Sequence, residues 1–142
     1  MNEVKHKQFI IIPRNPKMSA GKIASLVAHT TFMALENQKT FDEKGIKAPG
    51  NEEYLFSNGV VINEWKTSGQ CVIVLECPSQ LELHGMKAYC EQWNIPHHMY
   101  VDEGFTKIPA GTATAFATGV LTEEQFIYFS QFKLFKKRWW QL

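Results

Sequence analysis

Short, continuously apolar runs alternate along this chain with segments of helical periodicity. Phe9-Ile10-Ile11-Ile12 is unbroken and rich in β-branched residues, which predicts a strand covered on both faces. Pro13-Arg14-Asn15-Pro16 stops it. From Ser19 onward, Ala24, Ala28, Thr31 and Leu35 recur at helical spacing with Ile23 and Val27 beside them. Many of these are small, so the helix can lie close to a sheet, and Lys22 in its first turn sits near the free N–H groups of a helix start. Residues 37–64 hold no sustained period. Lys44-Gly45 and Ala48-Pro49-Gly50-Asn51 are turn signals, so the stretch reads as a variable surface excursion in preference to a functional lid, with a short helix around Val60–Trp65.

Cys71–Glu76 predicts a second buried strand, and Ser79-Gln80-Leu81-Glu82 is a capping box that opens a helix. Leu83, Met86, Cys90 and Trp93 share one face of that helix, and Asn94-Ile95-Pro96 ends it. His98–Val101 reads as a third strand and Thr112–Thr118 as a fourth, the latter with Thr112, Thr114 and Phe116 alternating against Ala113, Ala115 and Ala117. A second capping box, Thr122-Glu123-Glu124-Gln125, opens a helix with Phe126, Phe129 and Phe132 inward, as core or as a dimer face. The short 103–111 link suits an antiparallel pair, whereas the helix-linked strands call for right-handed parallel crossovers. The expected fold is a single α/β domain over residues 1–142, in three α/β/α layers around a four-stranded mixed sheet.

Composition narrows this picture. Hydrophobic residues make up 44% and charged residues 20% of 142, which suits a globular domain able to bury a core without staples. No apolar run approaches the roughly 20 residues that span a bilayer. The opening MNEVKHKQF lacks the apolar core of a secretory signal, and Cys71, Cys77 and Cys90 form no C-x-x-C pair. Free thiols in a reducing cytoplasm and no membrane partner are the expectation. The net charge of +1 conceals a segregation: residues 1–22 carry five Lys/Arg against one acid, residues 23–130 six against 13, and residues 131–142 four against none. Two basic ends can face a polyanion, or can simply be solvated. The tail, 136–142, interleaves Lys136, Lys137 and Arg138 with Trp139-Trp140, a pattern that suits either a grip on single-stranded RNA or rings folded back onto the domain.

Two polar clusters leave predicted strand ends, where open α/β sheets collect their ligands. One is Lys17-Met18-Ser19-Ala20-Gly21-Lys22; the other is Asp102-Glu103-Gly104-Phe105-Thr106-Lys107, followed by Gly111-Thr112-Ala113-Thr114. A lysine at a helix start suits an oxyanion or phosphate, and a carboxylate beside a hydroxyl can hold a water for attack on an ester. Asp and Gly are also ordinary turn residues and Thr an ordinary strand residue, so the residue types alone leave a plain turn open. A zinc site from His84, Cys90, His97 and His98 is disfavoured, because adjacent histidines in a strand point to opposite faces.

Phe9-Ile-Ile-Ile-Pro-Arg, then Lys17-Met18-x-x-Gly21-Lys22-Ile23-Ala24 and His29, resembles the opening of the archaeal/eukaryotic-type peptidyl-tRNA hydrolases, the second of two classes. Trp65-x-x-x-Gly69-Gln70 before Cys71-Val-Ile-Val-Leu, Asn94-Ile95-Pro96, Asp102-x-Gly104-x-Thr106-x-Ile108-x-x-Gly111-Thr112-x-Thr114 and the closing Phe132-Lys133-Leu134-Phe135 are similar to that family's later signatures, in order. The resemblance implies a cofactor-free, metal-free cytoplasmic homodimer that hydrolyses the ester joining a peptide to the 3′ end of tRNA. It implies a catalytic set of Lys22, Asp102, Thr106 and Thr112, with His29 and Thr114 nearby; His29, Thr114 and the clusters' other two cations, Lys17 and Lys107, are the expected substrate contacts. Asp102 and Thr106 would polarise the attacking water, and Lys22 would meet phosphate or the oxyanion. Glu103, Lys107 and Leu26 depart from the family's pattern, and a carboxylate at Glu103 is expected to raise the pKa of Asp102 and repel phosphate. A catalytically silent tRNA- or protein-binding module, and a hydrolase of small acyl or amide substrates, are the alternatives on the same fold.

Overall fold

The structure, a computed structural model, describes residues 5–43 and 58–136. Strand β1 (His6–Pro13) leads through a turn into helix α1 (Ala20–Glu43), and after the undescribed 44–57 come α2 (Asn58–Thr67), β2 (Val72–Cys77) and α3 (Gln80–Gln92). Then follow β3 (His97–Val101), β4 (Ala113–Thr122), the single-turn α4 (Glu123–Phe126), a 3-10 turn (Tyr128–Gln131) and β5 (Lys133–Leu134). One mixed sheet takes the order β3-β4-β1-β2-β5. β1 and β2 are parallel, with Phe9 beside Ile73 and Ile11 beside Leu75, and β4 runs antiparallel to both β1 and β3.

The sheet has five strands among the described residues, not the four expected. The fifth is a two-residue edge, Lys133–Leu134, antiparallel to Leu75–Glu76 of β2 and too short to leave any period in the sequence. Both described ends of the expected 37–64 excursion are helical. α1 runs on to Glu43 and α2 opens at Asn58, while the turn signals at 44–45 and 48–51 lie outside the described residues. The tail beyond Lys136 lies outside them too. No helix among the described residues is long and apolar enough to cross a membrane.

Two cores, one on each face of the sheet, explain why β1 is apolar at every position from Phe9 to Ile12. Phe9 and Ile11 pack with Leu83, Met86 and Cys90 of α3 and with Phe129; Ile10 and Ile12 pack with Met18, Leu26 and Ala34 on the α1 side. Leu26, one of the departures from the family's pattern, is thus core. The capping box at Ser79 is formed: the Ser79 side chain accepts from Leu81 N–H, and Glu82 reaches back to Ser79 N–H at 2.9 Å. Trp93, expected on the inner face of α3, instead caps its end and is largely exposed. Phe129 is fully buried, and Phe126 and Phe132 are partly buried against the same core. Where β1 and β4 slip in register, the freed Phe9 N–H donates to Thr118 Oγ1 at 3.1 Å, so a buried Thr repairs the ladder. All three cysteines are free thiols, and burial pushes Cys77 and Cys90 up to about 12.

Candidate active site

Topology brings the two clusters together. β1 and β3 both run parallel to β2, so their carboxyl ends share one edge of the sheet. The residue after β3 is Asp102, and the turn after β1 opens α1. Ser19 caps α1: its Oγ accepts the Lys22 N–H at 3.2 Å and its carbonyl the Ile23 N–H at 3.0 Å. Lys22 therefore stands three residues inside the cap, in the turn where the helix dipole is positive.

Asp102 anchors the other side. Its N–H donates to Thr112 O and its carbonyl accepts from Gly111 N–H, both at 2.8 Å, closing the base of the 102–112 loop. Gly104 and Gly111 take φ of +84° and +87°, left-handed conformations that let the loop turn back on itself. The Gly104 N–H then donates to Asp102 Oδ1 at 2.8 Å.

Eighty residues separate Lys22 from Asp102 in sequence, yet Lys22 Nζ donates to Asp102 Oδ2 at 2.7 Å. The carboxylate is 2% exposed and the lysine side chain 20%. The ammonium also donates to Thr106 Oγ1 at 3.3 Å, and that oxygen accepts the Ile108 N–H at 3.4 Å. With both acceptor positions of the hydroxyl engaged, its hydrogen is left to donate. Lys22 and Thr106 border a cleft of about 310 Å³ together with Lys17, Met18, Ser19, Lys107 and Ile108. Met18 and Ile108 are buried, giving it an apolar floor, while Lys17 and Lys107 are exposed cations at its margin. Asp102 is shielded behind the lysine.

The hydrogen bond from Lys22, reinforced by that from Gly104 N–H, holds the Asp102 carboxyl below its ordinary value despite burial. Glu103 is exposed and has no part in this shift, so the upward pull expected from a neighbouring carboxylate is not found. A carboxyl depressed on folding stabilises the fold above its unfolded pKa and surrenders that contribution only as pH falls through the lower folded value. Asp102 is thus an ionised partner for Lys22 at neutral pH.

The other sequence-derived candidates are placed differently. Thr112 meets Asp102 through its backbone carbonyl. Thr114 is fully buried in β4 and its hydroxyl has no partner among the described residues. His29, seven residues beyond Lys22 on α1, is exposed, with its ring edge-on to Tyr100 at 5.0 Å and 6.0 Å from His98. Neither His29 nor Thr114 borders the cleft. His98 is kept below its ordinary pKa by burial and by its histidine neighbours, and His97 stacks on Phe116 at 5.5 Å. Ser19 and Ile108 shape the cleft, although sequence names them only as members of a cluster and a motif, without a role; the spacing of Ser19 three residues before Lys22 is the available signal for the cap.

Comparison with known proteins finds relatives along most of the chain. The family described as Peptidyl-tRNA hydrolase PTH2 matches residues 6–135. A peptidyl-tRNA hydrolase of Thermococcus sibiricus is 34% identical over 120 residues, 84% of this chain and 88% of that protein. One from Haloquadratum walsbyi is 31% identical over 83% of this chain and 88% of its own length, and one from Methanopyrus kandleri 28% over 84% and 89%.

Proposed function

This chain belongs to the peptidyl-tRNA hydrolase PTH2 family and hydrolyses the ester between peptide and tRNA, and from that premise we propose that Lys22, Asp102 and Thr106 form its catalytic centre. The observation that carries the proposal is a lysine that borders a cleft while bonded to a buried carboxylate at 2.7 Å. Attack of water on an ester builds negative charge on the carbonyl oxygen, and the groups that lower the barrier are fixed donors aimed where that charge develops. Lys22 is one donor and the Thr106 hydroxyl a second. Asp102, with Lys22 on one oxygen and Gly104 N–H on the other, is a positioning residue rather than the group that polarises water. Thr112 works through its carbonyl, which fixes the Asp102 backbone. Lys17 and Lys107 meet tRNA phosphates at the cleft margin. His29 and Thr114 take no part in this reading.

Release of an N-blocked amino acid from tRNA, followed in single turnovers, tests it. Thr106→Val should slow release about 100-fold, and Thr106→Ser should keep most of the rate, since only the hydroxyl is invoked. Full speed in the valine variant would remove Thr106 from the centre.

We extend the proposal to a homodimer acting in the cytoplasm, as the resemblance implies. Sedimentation at micromolar concentration should give twice the 16.3 kDa monomer mass, and a single monomer peak would refute the dimer.

A further inference from the structure

Phe105 is the most exposed large apolar side chain among the described residues, 87% open to solvent. Nothing in the packing accounts for a phenyl ring there, and it is not on a mobile strand end. The turn that carries it is tied at both sides: Gly104 N–H to Asp102 Oδ1, and Thr106 Oγ1 to Lys22 Nζ and Ile108 N–H. The two residues that follow it, Thr106 and Lys107, border the cleft, and Lys17 stands at the same margin. A flat ring is thus presented by a tied turn, one residue before the Thr106 hydroxyl and two before the exposed Lys107, both of which border the cleft together with Lys17.

We propose that Phe105 is a stacking platform for the 3′-terminal base of tRNA, and so a positioning residue for the reaction. The inference rests on reading the cleft as the place where the ester lies. In the substrate, the scissile ester is on the ribose of the last nucleotide, so the terminal base lies within one sugar of the reacting carbon, and phosphates precede it. Along the loop, ring, hydroxyl and cation follow one another at Phe105, Thr106 and Lys107. The peptide is the weaker occupant, because its side chains vary from substrate to substrate while every tRNA brings the same 3′-terminal adenine. Stacking on an aromatic ring suits an unpaired terminal base, whose faces are free. The ring would hold the ribose over Lys22 and Thr106, contributing equally before and during reaction, and would therefore act on KM rather than on kcat.

Two readouts test this. The first is equilibrium binding of deacylated tRNA, intact or trimmed of its terminal adenosine, to the whole chain and to Phe105→Ala and Phe105→Trp. Phe105→Ala should bind intact tRNA about 5- to 150-fold more weakly and trimmed tRNA as the parent chain does, while Phe105→Trp should keep full affinity. The second is hydrolysis of N-blocked aminoacyl-tRNA, where Phe105→Ala should raise KM by the same factor and leave kcat within about threefold. Equal loss of affinity for intact and trimmed tRNA, or no loss at all, overturns the stacking role. If base-dependent binding appears and the parent chain releases no amino acid, the stacking role stands and the catalytic reading falls. Because the ring is exposed, the alanine variant should melt with the parent chain.

Discussion

Lys22→Met should lower the rate of ester release about 10²- to 10³-fold at saturating tRNA, the usual cost of deleting one fixed donor to an oxyanion. The effect is expected in kcat because the ammonium is already held by Asp102 and Thr106 before substrate arrives, so it need not reorganise as charge develops. Methionine retains the length and apolar stem of the side chain and removes only the charge and the donors. The substitution also strands the Asp102 carboxylate, 2% exposed and left with the Gly104 N–H. Uncompensated buried charge of this kind costs about 3–5 kcal/mol, so a lower melting temperature should accompany the loss of rate. Lys22→Arg keeps a cation in the ion pair and should recover stability and part of the rate. A methionine variant that folds and turns over at the parent rate would take Lys22 out of the chemistry.

Asp102→Asn should reduce turnover about 10- to 100-fold while changing tRNA affinity by less than about threefold. The amide oxygen can still accept the Gly104 N–H, so the loop keeps its shape, but its neutral dipole holds an ammonium less firmly than a carboxylate does. The remaining loss is one of aim: Lys22 keeps its charge and spreads over more orientations. With the carboxylate absent, activity at low pH should no longer reflect protonation at residue 102, so the acid limb that Asp102 contributes to the parent profile should disappear. A rate at residue-102 asparagine equal to that of the parent chain would leave the ion pair without catalytic meaning.

The parts legible in the sequence were those with a period or a local motif. β1 stood out because its apolar run serves two cores at once, and the boxes at Ser79 and Thr122 fix helix starts within a few residues. β5 left no trace, since its pairing with Leu75 and Glu76 depends on where the chain happens to return. The site was legible as two separate clusters at strand ends. Their union was not, because the Lys22–Asp102 bond spans 80 residues and follows from β1 and β3 running the same way. Nor does sequence distinguish a threonine bonded through its hydroxyl, as at Thr106, from one bonded through its carbonyl, as at Thr112. The upward pull expected of Glu103 on Asp102 is absent for a related reason: the charge that governs Asp102 comes from α1, not from its neighbour in sequence.

The division of labour between Lys22 and Asp102 is most directly tested by a double-mutant cycle on single-turnover release from N-blocked aminoacyl-tRNA. The cycle compares the parent chain, Lys22→Met, Asp102→Asn and the double variant, each at saturating enzyme. If Asp102 works through Lys22, the asparagine change has nothing left to disturb once the ammonium is gone, and the double variant should be no slower than Lys22→Met alone. A double variant slower by the product of the two single effects would show Asp102 acting on the water independently, and would contradict the account.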